Sequence, residues 1–228
     1  SHVLESLRLS KHECVAVIIT SDKCYDNVEW VWGYKETDRL GGKDIYSGSK
    51  GGAELVFKSY YHSFFRNEKS NIKLATARAG NVIGGGDWAK DRIIPDCIRS
   101  WSKGDAVTIR NPNSTRPWQH VLEPLSGYLT LALNLHEGKI SNGDSFNFGP
   151  HSDQNINVQK LIEDLSKHWK FNNKNDSFSI AKTDSFHEAG LLKLNCDKAL
   201  FHLNWKPVLN YEQLITFVGM WYYKYYKG

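Results

Sequence analysis

No run of apolar residues in this chain approaches the ~18–20 that a membrane-spanning helix needs. Residues Ser1 to His12 lack the apolar core of a secretory signal. The four cysteines, Cys14, Cys24, Cys97 and Cys196, lie far apart and form no Cys-x-x-Cys. That spacing argues against a disulfide frame and against a zinc site, and suits reduced thiols in a cytoplasmic protein. Lysine and arginine are spread along the chain, and a net charge of +4 is too small for its sign to point to nucleic acid. There is no internal repeat and no low-complexity segment. The expectation is a globular protein with no membrane partner, no nucleic-acid partner and no metal. One more absence bears on cofactor chemistry. No Gly-x-Gly-x-x-Gly opens a βα turn; Gly80 and Gly84 to Gly86 miss that spacing and follow a strand far from the N-terminus. The dinucleotide fingerprint is missing.

What is present reads as α/β. The 228 residues suffice for one large domain or two small ones, and 40% hydrophobic with 24% charged residues is ordinary for a globular protein. Aromatics, at 13% with eight Trp, serve core packing first and flat ligand faces second. Val3, Leu4, Leu7 and Leu9 have helical spacing. Cys14 to Thr20 is a near-continuous apolar run, the pattern of a strand buried on both faces. It ends in Ser21-Asp22-Lys23, at the strand edge where open α/β sheets bind ligands. After an irregular stretch, Asp26 to Asp44, a long helix is predicted from about Tyr46 to Asn67, then a strand over Ile72 to Arg78. Helix, strand, helix, strand argues for a βαβ unit and a parallel sheet. Further helices are expected over Ile93 to Ser102, Leu122 to Leu135, Val158 to Trp169, Asp197 to His202 and Tyr211 to Tyr226. Strands are expected over Val107 to Arg110, Asp144 to Phe148 and Phe178 to Ala181, and polar turns over Asn111 to Pro117 and Asn172 to Asp176. A chain that opens on an unpartnered helix is expected to begin mid-fold.

Tyr46-Ser47-Gly48-Ser49-Lys50 carries the chemistry. Four residues apart on a helix, Tyr46 and Lys50 share a face. An ammonium beside a phenol favours the phenolate, and a tyrosine so tuned can take a proton from a sugar hydroxyl near neutral pH. The pair alone is a weak signal. Two neighbours strengthen it: the buried strand ending in Thr20-Ser21-Asp22-Lys23, and the strand running into Arg78-Ala79-Gly80-Asn81-Val82-Ile83-Gly84.

In this order the three features resemble the extended short-chain dehydrogenase/reductase family of nucleotide-sugar enzymes. The stretches 21–25, 30–34, 80–88 and 115–121 are most similar to its 4,6-dehydratase subgroup acting on CDP-glucose. The resemblance covers nearly the whole chain and roughly the last two-thirds of the family's length, so the glycine-rich first half is expected upstream of Ser1.

The resemblance implies an NAD-binding Rossmann sheet, incomplete here, with a smaller C-terminal α/β substrate lobe. Residues 1–86 would be the second half of the Rossmann domain and 87–228 mainly the lobe, with about 118–150 returning to the sheet. It implies Tyr46 as the base at the glucose 4-hydroxyl, Lys50 on the nicotinamide ribose, Ser21 on the same hydroxyl and Asp22 as the acid at the departing 6-hydroxyl. Thr20, Ala79, Asn81 and Val82 would join Tyr46 and Lys50 around NAD. Lys23 stands where dTDP-glucose relatives carry the Glu that takes the C5 proton. Either lysine is the base with a lowered pKa, or it stabilises the enolate and another group moves the proton.

Arg92, at a helix start, and Arg116, before Pro117-Trp118, are the diphosphate candidates. Asn81 reads equally as a turn residue with positive φ and as a sugar or phosphate contact. Gly84 to Gly86 reads as a tight loop hinging two lobes, and His120 and His187 as structural or solvated. A homodimer through the long helix and its neighbour is implied by resemblance. The rivals are a 4-epimerase or decarboxylase of the same family, which would not need Asp22 and Lys23 as acid and base, and a non-catalytic fragment that binds a nucleotide sugar or a partner chain.

Overall fold

The computed structural model describes residues 1–67, 70–169, 171, 177–181 and 190–228. The expected turn at 172–176 and His187 lie outside them. In chain order the elements are α1 (His2–Leu9), β1 (Cys14–Ile19), a 3-10 turn (Asp22–Cys24), α2 (Ile45–Tyr60) continued by a π-helical turn (Tyr61–Phe65), β2 (Ile72–Ala79) and β3 (Val82–Ile83). There follow α3 (Ile93–Trp101), β4 (Val107–Ile109), β5 (Thr115–Arg116), β6 (Gln119–His120), α4 (Leu122–His136) and β7 (Ser145–Phe148). The last are β8 (Ile156–Asn157), α5 (Val158–Ser166), β9 (Phe178–Ile180), α6 (Asp197–Leu203) and α7 (Tyr211–Lys227).

The central sheet has the order β1-β2-β7, all parallel. Ala16 lies opposite Leu74, and Ala77 faces Ile19 on one side and Phe146 on the other. Strands covered on both faces need apolar residues at every position. Here Cys14, Ala16, Ile18, Ile72 and Leu74 pack with Phe57 and Phe65 on the α1 and α2 side. Val15, Val17, Ala75 and Ala77 pack with Leu131, Leu135, Phe146 and Phe148 on the α4 and α6 side. At Gly127 of α4 a Cβ would come within 2.3 Å of the Phe148 ring, so only glycine lets that helix sit so close to β7.

A separate core joins α3, α5 and α7 around Ile94, Ile98, Trp101, Leu161, Leu165, Ile215 and Val218. β4 and β9 pair in parallel at its edge. Two pairings of two-residue strands were not legible as periodic pattern. β3 pairs with β6 in parallel, Val82 opposite Gln119, and β5 pairs antiparallel with β8, Arg116 opposite Ile156. These hold the 115–121 segment beside the end of β2.

Two helices are shorter than expected. The α-helical part of α2 ends at Tyr60, where a π turn takes the chain to Phe65, and α5 ends at Ser166. The glycine loop at 84–86 owes its composition to close packing. A Cβ on Gly84 would strike Val121 and one on Gly85 the Trp221 ring, and Gly86 has φ +78°.

Candidate active site

The C-terminal ends of β1 and β2 open into a cleft of about 660 Å³. Thr20, Ser21, Asp22 and Lys23 line it from the end of β1, Tyr46 from α2, and Ala79, Asn81 and Val82 from the end of β2. Arg92 lines it from the start of α3 and Arg116 from β5. Ten of the eleven residues singled out from sequence therefore share one cavity. Lys50 does not line it. Lys50 is half-buried one helical turn behind, its ammonium 5.4 Å from the centroid of the Tyr46 ring.

Local chemistry fixes each placement. Asp44 caps α2: its Oδ1 accepts the Ser47 N–H at 2.9 Å and its Oδ2 the Ser47 hydroxyl at 2.6 Å. Those bonds hold the Asp44 carboxyl below its usual range. The helix thus starts at Ile45, and Tyr46 falls in its first turn, 54% exposed at the cleft. On β1 the chain turns at the strand end. Ser21 caps the 3-10 turn by accepting the Lys23 N–H at 3.2 Å. Adjacent residues on an extended strand would point to opposite faces; this turn lets both Asp22 and Lys23 line the cleft.

Asp22 is only 3% exposed. Its Oδ1 accepts the Ser21 hydroxyl at 3.0 Å, and its Oδ2 has no hydrogen-bond partner among the described residues. Burial pushes its carboxyl up to about 6, opposed by the charge of Lys23, the Ser21 hydroxyl and the charge of Arg116. A carboxyl near 6 can carry a proton at neutral pH to a leaving oxygen.

The two arginines differ. Arg116 is buried and donates from Nη1 to the Thr115 carbonyl at 2.8 Å. Arg92 is the exposed N-cap residue of α3, where free N–H groups and the helix dipole favour an anion. Asp87, Asp91 and Asp96 line the same part of the cleft, and Asp96 is ion-paired with Arg99. Asn81 is not among the residues with positive φ, which corrects its reading as a left-handed turn residue. His120 is structural: it is buried, its Nδ1 accepts the Leu122 N–H at 3.3 Å, and its ring meets Phe217 edge-on.

Sequence reasoning missed a pair beneath the cleft. Glu54 and Arg78 are both fully buried and bonded through two parallel contacts, Nε to Oε1 at 2.9 Å and Nη2 to Oε2 at 2.7 Å. Burial alone would raise the Glu54 carboxyl; Arg78 and the hydroxyls of Thr20 and Thr76 outweigh it and hold the group below its ordinary value. The available signal was spacing: Tyr46, Lys50 and Glu54 recur every four residues on one helix stripe.

A cleft at the carboxyl ends of parallel strands, lined also from α2, α3 and β5, defines a ligand-binding α/β protein of the Rossmann type. No family model matches the chain. Along its entire length it is 44% identical to the CDP-glucose 4,6-dehydratase of Salmonella typhimurium and spans 63% of that protein. Among solved structures it is similar to dTDP-glucose 4,6-dehydratase from Bacillus anthracis, in complex with NAD (TM-score 0.72, 20% identity, 91% of this chain and 61% of that one). It is also similar to UDP-glucuronic acid 4-epimerase from Bacillus cereus, in complex with UDP-glucuronic acid and NAD (TM-score 0.79, 16% identity, 98% and 65%). At these identities the structural likenesses show the fold: an α/β chain with a parallel Rossmann-type sheet.

Proposed function

We propose that this chain forms the catalytic and substrate-binding part of an NAD-dependent CDP-glucose 4,6-dehydratase, a lyase of deoxysugar and O-antigen (lipopolysaccharide) biosynthesis in the cytoplasm. The observation that carries the reading is Asp22, a buried carboxyl with one oxygen unpartnered among the described residues, lining the same cleft as Tyr46. A 4-epimerase or decarboxylase needs the tyrosine but has no use for a raised carboxyl there. The 44% identity over the whole chain supports the same choice.

The cleft suits the nicotinamide end of the cofactor. Thr20, Ala79, Asn81 and Val82 line the same cleft as Tyr46, and the Lys50 ammonium lies 5.4 Å from the centroid of the Tyr46 ring. When bound, NAD would accept a hydride from C4 of the sugar and return it to C6. Tyr46 takes the proton of the 4-hydroxyl, and the Ser21 hydroxyl, turned from Asp22 to the sugar, donates to the same 4-oxygen. Once C4 is a ketone, the C5 proton becomes acidic because the carbanion delocalises onto oxygen. Lys23 removes that proton or holds the enolate, and Asp22 protonates the departing 6-hydroxyl. Arg92 and Arg116 neutralise the diphosphate.

A homodimer through α1 and α2 is part of this reading; Val3, Leu9, Leu55, Val56 and Phe64 are all exposed there. The domain division at about residue 86, with 118–150 returning to the sheet, is proposed likewise and is supported by the pairing of β7 with β2.

Incubation with CDP-glucose and NAD, followed by NMR of the sugar, tests the proposal. A 4-keto-6-deoxy product is expected, and Tyr46→Phe should slow it by about 10²–10⁴-fold. An epimerised or decarboxylated sugar would refute the dehydratase reading. A chain that fails to bind NAD in calorimetry would favour the non-catalytic rival.

A further inference from the structure

Glu54 stands two turns along α2 from Tyr46, on the stripe that carries Lys50. Its Oε1 accepts the Thr20 hydroxyl as well as Arg78 Nε, and the Thr76 hydroxyl lies 3.1 Å from its Oε2. Arg78 uses its remaining nitrogen, Nη1, on the Tyr25 hydroxyl at 2.8 Å and the Glu36 carbonyl at 3.2 Å. Tyr25 in turn donates to Asn147 Oδ1 at 2.7 Å, and the Asn147 N–H donates to Glu36 Oε1 at 2.7 Å. One guanidinium thus ties together α2, the last residue before the Ser21–Lys23 turn, the loop that follows that turn, and β7.

A buried ion pair is a poor way to gain stability, because well-packed apolar side chains of similar volume often do as well or better. What it supplies is direction. A forked contact of 2.7 and 2.9 Å fixes the rotation and height of a helix against a strand, which a greasy contact does not. Neither Glu54 nor Arg78 lines the cleft.

We propose that the Glu54–Arg78 pair is a positioning device: it sets Tyr46 against Ser21, Asp22 and Lys23 by locking α2 to β2 and, through the Thr20 hydroxyl on Glu54, to the end of β1. The proposal rests on the reading of Tyr46 and Asp22 as proton-handling groups, and it predicts that the two arms move together when the lock is broken.

The experiment uses the active protein with Glu54→Gln and Arg78→Lys. The first keeps the shape and loses the charge; the second keeps the charge and loses the fork. Backbone hydrogen exchange is followed by mass spectrometry, with kcat and KM for CDP-glucose measured on the same samples. Exchange is expected to quicken by about tenfold in both 20–25 and 45–54, with the α3, α5 and α7 lobe unchanged. The kcat should fall by about 10²-fold with KM altered less than about threefold. Should either variant fail to fold, Tyr25→Phe, which removes one contact to Arg78 and leaves Glu54 paired, should give the same paired acceleration at a smaller size. Wild-type exchange in 20–25, or wild-type kcat with Arg78→Lys, would overturn the proposal. Absence of dehydratase activity in the wild type would instead sink the parent reading, and the exchange pattern would still decide the coupling.

Discussion

The Ser21 hydroxyl donates to Oδ1 of Asp22 at 3.0 Å, and the other oxygen of that buried carboxyl has no partner among the described residues. An unpaired oxygen so placed has a cost on one side of neutrality only. The folded-state value of Asp22 is raised from 3.8 to about 6, so the folded protein holds its proton more tightly than the unfolded chain. Its contribution to stability is fully present below about pH 4 and is lost as the pH rises through about 6. A rise of that size corresponds to about 3 kcal/mol. Asp22→Asn removes the charge and therefore the dependence. The variant's stability relative to wild type should improve by about 2–3 kcal/mol between pH 4 and pH 7.5, as measured by urea unfolding at each pH. A constant difference across that range would mean that Asp22 is ionised without penalty and is no acid. Turnover of the same variant should stall before water leaves.

The two arginines of the cleft should part company when replaced by alanine. Arg116 is buried and bonded to backbone, so Arg116→Ala should weaken nucleotide-sugar binding and lower the melting temperature together. Arg92 is exposed at a helix start, so Arg92→Ala should leave melting unchanged and weaken binding by about 1.5–3 kcal/mol, less at high salt. Calorimetric titration with CDP-glucose at two salt concentrations separates them. Equal affinities for both variants and wild type would move the diphosphate elsewhere.

Much of this site was legible because chemistry and element boundaries coincide. The apolar run 14–20 has the pattern of a strand covered on both faces, and the Tyr46–Lys50 spacing that of a helix opening at the cleft; the Asp44 cap that starts this helix was not read from sequence. The placement of polar residues inside the fold was not legible. A glutamate amid Leu55, Val56 and Phe57 reads as the solvent side of a helix, yet Glu54 is buried and Leu55 is exposed. Charged residues go fully inside only when paired, and the partner, Arg78, is 24 residues away on another element. The bridging strands at 82–83, 115–116 and 119–120 carry no period that two residues could display.

Leu122, Leu125, Leu129 and Leu133 of α4 are all exposed and, at spacings of three and four, form one stripe. Such a patch is a site of association unless covered. The polypeptide of 228 residues alone should therefore form species larger than a dimer as concentration rises, seen by light scattering after gel filtration. Leu129→Lys with Leu133→Glu should reduce that association. A monodisperse, cooperatively melting wild-type chain would show that the stripe is harmless.

Lys23 is the residue on which the order of elimination turns. The 3-10 turn lets it line the cleft with Asp22, so both can face one sugar. If it takes the C5 proton or holds the enolate, Lys23→Met should still oxidise C4 and, like Asp22→Asn, should fail to lose water. A single turnover in deuterated water distinguishes the two variants. Wild type should place solvent deuterium at C5 of the product, read by mass spectrometry. Asp22→Asn should exchange C5 while retaining the 6-hydroxyl, because its base is intact and its acid is not. Lys23→Met should exchange C5 slowly, by about 10²-fold or more relative to Asp22→Asn, the worth of one proton-transfer group. Rapid exchange in Lys23→Met would free the lysine of that role and direct attention to the other carboxylates lining the cleft, Asp87, Asp91 and Asp96.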